Sequence, residues 1–179
     1  MTQKVVAFVG LSGVGKTSAL KALGATISFQ HLGASTLIRE ARKANETSPN
    51  LDALRNFDID ESQRLLIKGF NKAIDPQAAL VVLDGHTLIE TPSGLVQIRA
   101  EVFQALNLTS MVFWADAPSE ILSRRERDLT RNRPRADIAD IRRFQETALL
   151  AAFEICIALN VPLSILTPRQ SGRLQELLT

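Results

Sequence analysis

Val5-Val6-Ala7-Phe8-Val9-Gly10-Leu11-Ser12-Gly13-Val14-Gly15-Lys16-Thr17 is the stretch that decides the fold. Its first five residues are apolar without a break, the pattern of a strand buried on both faces. Gly10, Gly13 and Gly15 let the backbone behind that strand curl without a Cβ clash, so that successive N–H groups aim into one concavity sized for phosphate oxygens. Residues 10–17 complete the pattern G-x-x-x-x-G-K-[ST]. In it the lysine, Lys16, reaches the β and γ phosphates of a nucleotide, and the hydroxyl of Thr17 is offered to Mg²⁺.

Working outward, the rest of the chain alternates short apolar runs with amphipathic stretches. Strand-like segments are Lys4 to Val9, a short Ile27 to Leu32, Leu80 to Leu83, Ser110 to Ala115 and Pro162 to Leu166. Helical patterns run from Lys16 to Leu23, Ala34 to Asn45, Asp60 to Ile74, Leu95 to Leu106, Ser119 to Thr130, Ile138 to Ala158 and Ser171 to Leu178. Asp58 with Glu61 resembles a capping box ahead of the third helix, and Glu46 to Asn56 reads as a connection within the domain. Strands of Val, Leu and Ile separated by helices predict an α/β architecture: a P-loop NTPase fold with a five-stranded parallel sheet covered by helices on both faces.

Length and composition fit a single domain over 1–179. The chain is 45% hydrophobic, enough for one core, with no repeat or low-complexity segment. No apolar run approaches the roughly 18 residues of a membrane span, and the first residues lack the pattern of a secretion signal, so a cytoplasmic protein with no membrane partner is expected. The single cysteine, Cys156, lies in an apolar helical stretch and reads as a buried filler. A net charge of +2 argues against a broad nucleic-acid footprint.

The charge is unevenly placed, however. Of fifteen arginines, eight fall between residues 124 and 143, opposed there only by Glu126, Asp128, Asp137 and Asp140. Arg124, Arg127 and Arg131 are spaced to share a helix face, while Arg133 and Arg135 flank Pro134 in a loop. Alone, such a face reads as a solvated surface. Beside a phosphate loop it reads as charge that closes over a migrating phosphoryl group and excludes water. In a parallel sheet, ligands gather beyond the carboxyl ends of the strands. Asp84 and Asp116 both follow strands; Asp84 is placed to hold Mg²⁺ or orient an acceptor, and Asp116 is equally a helix-entry residue. His86 reads either as an acceptor contact or as a structural hydrogen-bonder, His31 as structural, and Trp114 as core.

Four segments together resemble the archaeal-type adenylate kinases. They are the phosphate loop, Asp84-Gly85-His86-Thr87 with Thr91-Pro92-Ser93-Gly94, Ala115-Asp116-Ala117-Pro118, and Arg125-Glu126-Arg127-Asp128-Leu129-Thr130-Arg131-Asn132-Arg133. The resemblance implies transfer of the ATP γ-phosphate to AMP, with Mg²⁺ held at Thr17 and Asp84. It implies donor contacts from Gly10, Ser12, Gly13, Val14, Gly15, Lys16, Thr17, Ser18 and Arg133, and catalytic roles for Lys16, Arg124, Arg127, Arg131 and Asp84. A monophosphate-binding region of about 33–75 and an arginine-rich lid of about 124–137 follow from it. Arg39 would grip the acceptor phosphate, with Ser35, Thr36, His86 and Gln97 around the acceptor nucleoside. Two departures fall on the acceptor side: Leu95-Val96-Gln97-Ile98-Arg99 replaces a Pro-Gly-Leu-Pro stretch, and Asn56-Phe57-Asp58 replaces a Leu-Pro pair. Two further readings stay open, a kinase for another small acceptor and an ATPase switch acting on a protein or RNA partner. The substrates expected are small nucleotides; the resembled kinases are often homo-oligomeric, and nothing in the sequence marks an interface.

Overall fold

The structure, a computed structural model, describes residues 3–45, 59–91, 94–128 and 135–179. Five strands form one parallel sheet: β1 (Lys4–Val9), β2 (Gln30–Gly33), β3 (Leu80–Asp84), β6 (Ser110–Trp114) and β7 (Leu163–Leu166), in the order β2-β3-β1-β6-β7. A separate antiparallel hairpin, β4 (Leu88–Thr91) with β5 (Gly94–Gln97), stands beside it. The helices are α1 (Lys16–Leu23), α2 (Ala34–Asn45), α3 (Ile59–Ala73), α4 (Ala100–Ala105), α5 (Pro118–Arg127), α6 (Ile138–Leu159) and α7 (Ser171–Leu178). Val5 to Val9 and Leu80 to Leu83 are buried consecutively. Burial without alternation means that layers cover both sheet faces, which is why these strands read as unbroken apolar runs.

The register of the central strand builds the site. β1 pairs with β3 on one side, Phe8 opposite Asp84, and with β6 on the other, Val9 opposite Phe113. Gly33 lies opposite Asp84 in turn. The chain therefore leaves β1 as the glycine loop at the level where β3 delivers Asp84 and β2 hands over to α2.

Three expectations shift. The second strand starts at Gln30, not Ile27, because the Ile27 and Thr26 amides close the end of α1 on the Leu23 carbonyl. The helix expected from Leu95 starts at Ala100, since residues 94–97 pair with β4 and the Ile98 amide extends that ladder to the Thr87 carbonyl. Gly94, at φ +128° opposite Thr91, opens β5 in a conformation that a side chain would resist. The helix expected to reach Thr130 ends at Arg127. Asp58, the Glu46 to Asn56 connection and Pro134 lie outside the described residues; α3 begins at Ile59 with Asp60 and Glu61 in its first turn.

α2 and α3 lie against each other closely enough that a Cβ on Gly69 would sit 2.7 Å from the Leu37 carbonyl oxygen. α6 carries its capping box at Asp137 and Asp140. It packs against β6 and β7, and against α4 and α5. Among the described residues no helix is long and apolar enough to cross a membrane.

Candidate active site

The glycine loop is held in shape by its own φ angles and by its surroundings. Gly10, Gly13 and Gly15 have φ of +155°, +85° and +98°, and Gly15 is the left-handed N-cap of α1. A Cβ on Gly10 would lie 2.4 Å from the Trp114 carbonyl oxygen of β6. Lys16, only 7% exposed, folds back under the loop: its Nζ donates to the Gly10 carbonyl at 3.2 Å and the Leu11 carbonyl at 3.4 Å, and lies 3.8 Å from Asp84 Oδ1. A buried ammonium needs a counter-charge, and Asp84 supplies it.

His86 Nδ1 lies 2.7 Å from the Gly10 carbonyl oxygen. A carbonyl can only accept, so Nδ1 carries the proton and the ring braces the start of the loop. On the far side of Asp84, His31 Nε2 is 3.9 Å from Oδ2, with its ring beside Phe29. Two loop carbonyls are taken up by α5: Arg124 Nη1 donates to Val14 O at 3.2 Å and Arg125 Nε to Ser12 O at 2.9 Å. Arg124 is also paired with Asp116, whose other oxygen accepts from the Ala117 amide at the start of α5.

Two cavities meet here. The first, about 560 Å³, is walled by loop residues Leu11 to Gly13 and Gly15 to Ser18, by Gly33, Ala34 and Ser35 at the start of α2, and by Asp84, His86, Arg124 and Asp128. The second, about 1140 Å³, shares Gly15, Ser18 and Arg124 with it and runs between α1, Trp114, Asp116 and the turn Thr167 to Arg169 ahead of α7. The structure thus brings together Ser12, Gly13, Gly15, Lys16, Thr17, Ser18, Ser35, Asp84, His86 and Arg124, with Gly10 beneath them and Val14 on the second cavity. It leaves others apart. Arg127 is exposed and its Nε donates to the Ser123 carbonyl. Arg39 is exposed and leans on Thr36 at 3.5 Å, neither of them in the cavity walls. Gln97 bonds Glu154 of α6 at 3.1 Å, away from both cavities. Arg131 and Arg133 lie outside the described residues.

Thr17 and Asp84 offer hard oxygen donors in one cavity, the donor type Mg²⁺ takes. Among the described residues no three His, Cys, Asp or Glu side chains cluster so as to hold a metal ion. The set therefore fits an ion that completes its shell with phosphate and water oxygens. Sequence reasoning missed Arg125, Glu90, and the Thr167 to Arg169 wall. Nothing in a linear pattern pairs residues 35 positions apart, and the arginine cluster hid which member turns inward.

A glycine loop on the central strand, a lysine at the head of the following helix and an acid from the neighbouring strand define an ATP-dependent P-loop phosphotransferase. Residues 9–142 match the family model of an AAA domain. The chain is 30% identical over 178 residues to the adenylate kinase of Thermococcus sibiricus, covering 96% of this chain and 90% of that one. It is 31% identical over 176 residues to that of Thermococcus kodakarensis, with the same coverage. It belongs to the archaeal-type adenylate kinase family. Among solved structures, shikimate kinase from Bacteroides thetaiotaomicron superposes with a TM-score of 0.59 at 18% identity, over 99% of both chains. Shikimate kinase from Acinetobacter baumannii does so with a TM-score of 0.60 at 15% identity, over 98% of this chain and 93% of the other. These two likenesses concern the fold alone.

Proposed function

We propose that the protein transfers the γ-phosphate of ATP to a nucleoside monophosphate, AMP foremost, giving two molecules of ADP. The observation that carries this reading is the two-sided wall of the smaller cavity: donor-type residues Gly13, Gly15, Thr17 and Ser18 on one face, and Gly33 to Ser35 with Asp84 on the other, with Lys16 between them. The larger cavity, opening from the same loop beside Trp114 and Thr167, has room for the donor's nucleoside. The adenylate kinase relatives support AMP as acceptor.

In this reading the loop amides and Lys16 take the β and γ phosphates, Lys16 exchanging its two carbonyl partners for phosphate oxygens. Thr17 and Asp84 would hold a bound Mg²⁺, whose chemistry there would be to neutralise charge that builds up in transfer. Arg124, already at the mouth of both cavities, neutralises the migrating group from the opposite side. The bond from γ-phosphorus to its bridging oxygen breaks as one forms to an acceptor phosphate oxygen, so no residue need remove a proton. Arg39 and Ser35 hold the acceptor. The division into an acceptor region of about 33–75 and an arginine-bearing lid of about 124–137, with Arg127, Arg131 and Arg133, belongs to this proposal.

A second reading rests on one observation: among the described residues the acceptor wall carries a carboxylate, Asp84, with His86 in the same cavity lining and His31 3.9 Å from Oδ2, but no arginine. That arrangement would also suit a hydroxyl acceptor whose proton passes to Asp84. One experiment separates these. Mg-ATP is mixed with AMP, CMP, UMP, GMP or dephosphorylated small alcohols, and ADP is followed. ADP formed from AMP at many times the acceptor-free rate is expected. Phosphate release that ignores the acceptor would instead mean an ATPase switch.

A further inference from the structure

Arg125 is the most buried arginine among the described residues, its side chain 6% exposed, and the chemistry outlined above does not use it. Its guanidinium forms a two-pronged pair with Glu90 of β4: Nη1 to Oε2 at 2.9 Å and Nη2 to Oε1 at 2.5 Å. The third edge of the same plane, Nε, donates to the carbonyl of Ser12 at 2.9 Å. Its stem passes so close under the loop that a Cβ on Gly13 would lie 2.8 Å from Arg125 Cγ. Glu90 is itself only 14% exposed, so the pair is a desolvated fork and not a surface contact.

The geometry of a peptide unit gives this contact a consequence. In a planar trans peptide the C=O and the N–H that follows it point in opposite directions. Drawing the Ser12 carbonyl down onto Arg125 therefore turns the Gly13 N–H away from Arg125, towards the cavity that Gly13 lines. Arg124, the next residue back on α5, does the same to the 14–15 peptide by taking the Val14 carbonyl, which turns the Gly15 N–H outward. An unrestrained glycine-rich loop would sample both orientations of these peptides, because glycine occupies either sign of φ at little cost.

We propose that Arg125, locked by Glu90, is a positioning residue of the donor site: it sets the 12–13 peptide so that the Gly13 amide is aimed at the donor phosphates before they arrive. The proposal rests on the phosphate-donor reading above and adds to it the device that preorganises the loop, anchored in the β4–β5 hairpin. Arginine is needed for its shape as much as its charge. One guanidinium spans both Glu90 oxygens and the Ser12 carbonyl, whereas an ammonium satisfies Glu90 but lacks the rigid third edge.

The test is isothermal titration of wild type, Arg125→Lys and the charge-free double variant Arg125→Met with Glu90→Gln, using Mg-ATP and inorganic tripolyphosphate as separate probes, with melting curves alongside. Arg125→Lys is expected to melt near wild type yet bind both probes about tenfold more weakly, by the same factor for each, since only the phosphate cradle changes. The double variant should show the same loss. In turnover assays the KM for ATP should rise while that for the acceptor stays within about twofold. Wild-type affinity in either variant overturns the proposal. So does a loss larger for Mg-ATP than for tripolyphosphate, which would mean distortion of the wider cavity, and so does failure of Arg125→Lys to fold, which would make the pair a determinant of folding only. If wild type itself binds neither probe, the donor reading falls instead, and the two failures are told apart.

Discussion

Lys16→Met tests the donor site most directly, because the structure predicts opposite consequences for the free and the liganded protein. The ammonium is 7% exposed and 3.8 Å from Asp84, a gross attraction of about 4 kcal/mol at an effective dielectric near 20. Against that stands the cost of desolvating the charge, which methionine avoids while filling a similar volume. Asp84 is partly exposed and keeps His31 nearby, so the orphaned carboxylate is not isolated. The net change for the free protein is expected within about 1 kcal/mol, or no more than about 4 °C in Tm for a chain of this length.

Binding is another matter. Charge-assisted contacts to phosphate contribute up to about 3 kcal/mol, a factor near a hundred in Kd. At Mg-ATP set to a hundred times the wild-type Kd, ligand stabilises wild type by about 2.7 kcal/mol and the variant by only about 0.4 kcal/mol. A thermal-shift assay should therefore show an ATP-induced rise of about 5–10 °C for wild type and about 1 °C for the variant. A variant that keeps most of the rise would refute the placement of Lys16 on the donor phosphates.

Gly69→Ala should destabilise the protein by about 1–3 kcal/mol in urea melts, because the new methyl meets the Leu37 backbone oxygen at 2.7 Å and α2 must move off α3; a neutral result would mean the two helices separate freely. Arg39→Ala should raise the KM for AMP by about tenfold and leave that for ATP alone, the loss of one charge-assisted bond. An equal rise for both substrates would move α2 out of the acceptor role. Cys156 should react with alkylating agents at pH 8 on the order of a hundredfold more slowly than a free thiol until urea is added, since burial pushes its pKa up to about 11. The unfolded chain releases that proton near 9.0, so this contribution to stability is full below pH 9.0 and is lost as pH rises towards 11. A Cys156→Ala variant whose urea midpoint falls over that interval as steeply as wild type's would contradict this.

Much of this architecture was legible because it rests on local signals. The run Val5 to Val9 and the glycines behind it fix a strand and a loop within thirteen residues, and α1, α2 and α7 begin and end where their apolar periods do. The hairpin was not legible. Leu95-Val96-Gln97-Ile98 is apolar enough to be drawn into the helix that follows, and only pairing with β4 decides otherwise. Gln97 was assigned to the acceptor through the motif around it, yet it bonds across to α6. The arginines illustrate the same limit. Their number announces phosphate, but a helix places Arg124 and Arg125 about 100° apart, and both reach the loop while Arg127 faces solvent. Which faces were inward depended on where α5 enters, at Pro118, and no count of charges contains that.

The placement of β1 at the middle of the five strands carries a wider implication. Under the proposed function, the residues assigned to the phosphate tail and its base come from that strand and the half of the sheet holding β6 and β7, with Glu90 as an outlying anchor, whereas the wall across the gap comes from β2, β3 and the start of α2. Side chains from the two halves meet where Lys16 approaches Asp84 and where His86 bonds the Gly10 carbonyl. In that reading, rewriting the acceptor flank around a retained Asp84 and His86 would leave the other's grip intact, so a lineage could exchange what it phosphorylates while inheriting the machinery that supplies the phosphate.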